Sequence, residues 1–111
     1  MRGCAVLVRT GWDARWGSEE YWSDAPFLPA AVVERLIAVG VRLVGVDFGN
    51  VHDMEDLSRP AHTGLLAAGI PIVENLRGLE RLPREGFVFS APPVGIVGGA
   101  SFPVRAFAEV P

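Results

Sequence analysis

The stretch Arg59-Pro-Ala-His-Thr-Gly-Leu-Leu-Ala-Ala-Gly-Ile-Pro-Ile-Val-Glu-Asn-Leu76 decides the reading of this chain, because it sets His62 and Glu74 inside otherwise apolar sequence. Proline is tolerated in a first helical turn, small residues and leucines follow it, and Gly69 stands where a C-cap belongs. Pro60 to Ala68 is therefore expected to be a short helix. Ile70 to Val73 then reads as a buried strand. Glu74 follows it directly, at the C-terminal strand end where open α/β sheets carry their ligand sites. His62, in the first turn of the helix, can reach the same rim. An imidazole and a carboxylate together suit zinc or manganese, but two donors alone do not make a site.

Upstream, Leu43-Val-Gly-Val-Asp47 reads as another buried strand with Asp47 at its C-terminal end. Pro29 opens a helix before it, with Ala31, Val32, Leu36, Ile37 and Val39 as an apolar stripe and Gly40 as the stop. Cys4 to Thr10 is a third apolar run of strand length, ended by Gly11. These segments make two successive β-α-β units, for which right-handed crossovers and parallel pairing are the natural inference. The loop from Phe48 to Arg59 holds His52, Asp53, Glu55 and Asp56, a charge cluster expected to be solvated surface. Gly11 to Phe27 carries all three tryptophans and the sole tyrosine without a clean period, and reads as a long ordered loop. Its aromatics either cover one end of the sheet or form the wall of a pocket.

After Glu74 the pattern changes. Leu76, Leu79 and Leu82 suggest a short helical or 3₁₀ turn. Phe87 to Ala91 and Val94 to Val97 read as strands around the Pro92-Pro93 break, Gly98 to Ser101 as a turn, and Val104 to Glu109 as a last strand with alternating faces. No repeat, linker or low-complexity segment interrupts the chain, so residues 1–111 are expected to form one α/β domain with a mixed sheet.

Length and charge narrow the function classes. A chain of 111 residues is long enough for one core, and a net charge of −3 without a basic cluster argues against nucleic acid or an anionic membrane as partner. Cys4 is the only cysteine, so no intrachain disulfide can form. Neither a membrane-spanning run nor a signal-peptide apolar region is present, and cytoplasm is the expected location. All ten cationic residues are arginine, which we take as a coding bias of the source.

Val8-Arg-Thr-Gly-Trp12, Gly45-Val-Asp47, His62 with Leu65-Leu66, Gly69-Ile-Pro-Ile-Val-Glu-Asn-Leu76, Ala91-Pro-Pro93 and Pro103-Val-Arg-Ala-Phe-Ala108 together resemble the C-terminal half of the metal-dependent cyclase-like hydrolases. That family includes bacterial kynurenine formamidase and isatin hydrolase. The resemblance implies part of a swivelling β/β/α fold and hydrolysis of an amide, lactam or lactone by water activated on Zn²⁺ or Mn²⁺. It also implies that His62 and Glu74 are metal ligands, and it makes Trp12 and Asp47 the candidate substrate-binding residues. The family's His-x-Gly-Thr-His-x-Asp-x-Pro-x-His string, which supplies most ligands and the proton-transfer histidine, has no counterpart here, since His52 and His62 are the only histidines. Where the family tends to carry a Ser-hydrophobic-Asp element after Asp47, this chain has Asn50-Val-His52. No catalytic residue can be assigned.

Two classes of function follow. One is a hydrolase acting on a small-molecule amide or lactone, such as an arylformamide, whose missing ligands come from an N-terminal half or a partner chain. The other is a non-catalytic remnant or interaction module that keeps the fold. Either way, a half-domain is expected to expose apolar surface and to form a homo-oligomer or pair with a companion half.

Overall fold

A computed structural model of the chain describes residues 1–56 and 59–111. Two compact units are present, Met1–Leu79 and Glu80–Pro111.

In the first unit, β1 (Ala5–Val8) and β2 (Leu43–Val46) pair in parallel, with Ala5 opposite Leu43 and Val8 opposite Val46. Between them runs α1 (Ala30–Val39), and Pro29 stands at its N-cap. Gly40 ends the helix at φ 83°, in the left-handed region that a residue with a Cβ enters at a cost, and its N–H donates to the carbonyls of Leu36 and Ile37. The second unit of the same kind runs from β2 through α2 (Pro60–Ala67) to β3 (Ile72–Val73), which lies parallel to β2 with Val44 opposite Ile72. The sheet order β1-β2-β3 follows the chain. Both β-α-β units expected from the sequence are therefore formed.

Chain order in the sheet lets the two helices lie side by side. Gly64 in α2 makes room for this, since Val33 Cγ1 comes within 3.3 Å of the place a Cβ would take. The core gathers around the central strand. Val44, Val46, Val51 and Leu65 are fully buried, with Val33, Leu36, Val41, Phe48, Ala61 and Ile70 around them. β1 is only half-buried, as an edge strand should be. The inward face of α1 is set by Val33 and Leu36, whereas Ala31 and Val32 point to solvent. The expected stripe was thus out of phase at its start: of two adjacent valines, the helical period with Leu36 selects the second. Gly11 to Phe27 is ordered as two short 3₁₀ segments, Trp12–Arg15 and Glu19–Trp22.

In the second unit, β4 (Val88–Ser90) and β5 (Phe107–Glu109) form an antiparallel pair, with Phe89 opposite Ala108. Parallel and antiparallel pairings are both present, but in separate sheets. Val94 to Val97 is not a strand. Behind Pro92-Pro93 it turns tightly, Ile96 N donating to Val94 O at 2.9 Å, and Val94, Ile96 and Val97 are exposed. A two-stranded ribbon with so little cover is marginal by itself.

Candidate metal centre

Because β1, β2 and β3 run in the same direction, their C-terminal ends share one rim, and the chain leaves that rim at Thr10, Asp47 and Glu74. Asp47 is buried. Its Oδ2 accepts the backbone N–H groups of Thr10 and Gly11, both at 2.8 Å, and its Oδ1 accepts the Thr10 hydroxyl at 2.6 Å. The carboxylate thereby fixes the turn that launches the aromatic segment. Trp12, next in the chain, donates its Nε1–H to Tyr21 O at 2.8 Å, and its ring lies under the Arg15 guanidinium at 4.3 Å.

Tyr21 is the buried anchor of that segment, with Trp16 and Trp22 edge-on to its ring. Trp22 also lies across Gly49, where any Cβ would run into the indole. Burial, and then the nearby carboxylates of Asp47, Asp13 and Glu74, push the Tyr21 phenol up to about 12, so it keeps its proton. It donates that proton to Asn75 Oδ1 at 2.8 Å. A second tie joins Asp13 Oδ2 to the Gly78 N–H at 2.9 Å. The aromatic segment is thus fastened on both sides of the turn that follows Glu74.

His62 and Glu74 meet at this rim. The first turn of α2 brings His62 Nε2 to 3.4 Å from Glu74 Oε2. The Val51 N–H donates to the same Oε2 at 2.9 Å. Burial, then the Arg59 guanidinium and His52, lower the His62 pKa to about 4. At neutral pH the contact is therefore between a neutral imidazole and a carboxylate, not an ion pair. Glu74 is shifted upward by burial, against the opposing pull of the Val51 N–H and Arg59.

A separation of 3.4 Å is long for a hydrogen bond. It suits two ligands, since donors about 2.0–2.1 Å from a tetrahedral ion stand about 3.4 Å apart. Among the described residues no group of three His, Cys, Asp or Glu side chains could hold an ion. The pair fits a metal as part of a donor set. One residue before the amide that holds Glu74, Asn50 Oδ1 is buried without a hydrogen-bond partner among the described residues.

Sequence reasoning placed His52 on a solvated surface, and the structure corrects that. His52 is 9% exposed, and its Nδ1 lies 2.8 Å from His62 Nδ1, with the rings edge-on at 4.8 Å. Only the departure Asn50-Val-His52 marked the position in the sequence. Of the rest of that cluster, Glu55 and Asp56 are exposed as expected and Asp53 is half-buried, and residues 57 and 58 of the loop lie outside the described residues.

The shifts set a pH dependence. Between about pH 4 and 6.5 the unfolded chain binds a proton at His62 that the folded chain refuses, so folding stability falls as pH falls through that window. His52, also lowered by burial and then Arg59, acts in the same direction. Glu74, raised, acts oppositely as pH rises past its ordinary value. Unfolding free energies from urea titrations at pH 7.5 and 5 should differ by on the order of 2 kcal/mol. A His52→Phe, His62→Leu chain should show a flatter profile.

A family model described as "Putative cyclase" matches residues 1–53. The kynurenine formamidase of Sphingopyxis alaskensis is 36% identical over 101 residues, covering 91% of this chain and 47% of that protein. The isatin hydrolase of Roseibium aggregatum is 30% identical over 118 residues, covering 96% of this chain and 44% of its own length. Among solved structures, isatin hydrolase A from Ralstonia solanacearum superposes with a TM-score of 0.87 at 30% identity, covering 99% of this chain and 46% of that one. The chain spans about half the length of the curated relatives it matches. In sequence and in fold, it is a relative of the cyclase-family hydrolases that include kynurenine formamidases and isatin hydrolases, matching about half of their length.

Proposed function

We propose that this chain contributes His62 and Glu74 to the metal site of a hydrolase acting on a small-molecule amide or lactam, arylformamides included, the remaining ligands coming from a companion half or a partner chain. The observation that carries this reading is the 3.4 Å approach of His62 Nε2 to Glu74 Oε2 at the strand-end rim. The names of the relatives supply the substrate class.

Amide hydrolysis at neutral pH needs hydroxide and a polarised carbonyl. A bound Zn²⁺ or Mn²⁺ supplies both, bringing a water pKa from about 15.7 towards ~7. The chain's own residues hold and orient. Neutral His62 presents a lone pair, Glu74 offers charge, and the Val51 N–H fixes which carboxylate oxygen faces the imidazole. Trp12 and its aromatic neighbours form the wall against which an aryl substrate packs. Asp47 acts at one remove, by holding the turn before Trp12.

A companion is further supported by the second unit, where Val88, Val94, Ile96, Val97, Phe107 and Val110 are exposed. Supplied with a relative's N-terminal half, the chain should gain formamidase activity that needs Zn²⁺ or Mn²⁺. Alone, it should bind Zn²⁺ weakly and lose it to a chelator. No activity with any supplied half would favour the alternative of a non-catalytic remnant, and stoichiometric metal surviving the chelator would show a complete site instead.

A further inference from the structure

One short segment, Val51-His52, touches both candidate ligands. The Val51 N–H holds Glu74 Oε2 at 2.9 Å, and His52 Nδ1 meets His62 Nδ1 at 2.8 Å. The segment is itself anchored, because Val51 is fully buried and its carbonyl accepts the Leu28 N–H at 2.8 Å. Its side chains are therefore placed by the core and not by the charged loop that follows.

A neutral imidazole carries a single N–H. If it sits on Nε2 of His62, that nitrogen has no lone pair to offer and points a proton at the Glu74 side. If it sits on Nδ1, Nε2 is a free donor. The 2.8 Å contact ties the tautomers of the two rings together, because one of its two nitrogens must donate and the other accept. When His52 accepts, the His62 proton is held on Nδ1, on the far side of the ring from Glu74.

We infer that His52 is a positioning residue, whose Nδ1 accepts the Nδ1–H of His62 and so turns the His62 Nε2 lone pair towards Glu74. The inference rests on the reading of His62 and Glu74 as ligands. Metal-bound histidines generally need such an acceptor on their other nitrogen, commonly a carboxylate or carbonyl, and its loss costs about 10–100-fold in affinity. Here a second imidazole serves.

The test uses Zn²⁺ titrated into the full chain and followed by NMR of the ¹⁵N-labelled imidazoles, which reads weak binding and tautomer together. In the wild-type chain with Zn²⁺, His62 should be protonated on Nδ1 and not on Nε2. His52→Ala should weaken Zn²⁺ binding about 10–100-fold. His52→Asn, which puts an amide oxygen near the place of Nδ1, should recover most of it and restore the Nδ1–H signal. Backbone spectra of each variant report folding separately. Unchanged affinity in His52→Ala, or no recovery in a folded His52→Asn, overturns the positioning role. Should His62→Ala also leave affinity unchanged, the ligand reading falls with it. A loss in His62→Ala alone leaves the ligand reading standing and removes only His52.

Discussion

An Asp47→Ala chain is expected to lose about 3–4 kcal/mol of unfolding free energy, because the carboxylate it removes is buried and accepts three hydrogen bonds, two of them from the backbone. Alanine would leave the N–H groups of Thr10 and Gly11 without their carboxylate acceptor. Asp47→Asn keeps one oxygen and can donate its amide to the Thr10 hydroxyl, so it should cost about half as much. Equilibrium urea unfolding measures both. A loss below about 1 kcal/mol in Asp47→Ala would mean that water replaces the carboxylate and that the turn before Trp12 holds itself.

The second large effect is on catalysis by the chain paired with a companion half. Glu74→Gln keeps the size of the side chain and its hydrogen bond from Val51 but removes the charge, and His62→Ala removes a nitrogen donor. Each should lower kcat/KM by roughly 10²-fold or more. Folding should be nearly untouched, since both residues sit at a rim and are only partly buried. Full activity in Glu74→Gln would remove it as a ligand.

The fold was legible where local signals agreed with tertiary need. β2 and α2 carry apolar runs and form as read, whereas the strand read at Ile70–Val73 is shortened to Ile72–Val73 and is only half-buried, because it lies at the edge of the sheet. The start of the α1 stripe was not legible, because adjacent Val32 and Val33 satisfy the same local pattern and only the sheet beneath chooses between them. The strand read at Val94–Val97 failed because β-branched residues favour a strand only where a neighbouring strand and a covered face are available. His62 and Glu74 stood out as polar residues in apolar sequence. His52 did not, because its burial depends on Leu28 binding Val51 from more than twenty positions away, a contact that no local pattern records.

The bond from Tyr21 to Asn75 has a consequence for how a ligand would be felt. Asn75 is one of the few non-glycine residues with positive φ, at 63°, and it directly follows Glu74. Its backbone is held in that left-handed state from two sides, by its own N–H on Phe48 O at 2.9 Å and by the phenol on its side chain. Loosening the aromatic segment would free Asn75 to relax and would swing the Glu74 carboxylate with it. Order in the two places would then be one cooperative quantity: whatever stiffens the tryptophan wall would sharpen the aim of the carboxylate, and a cation held by the carboxylate would damp the motion of the wall.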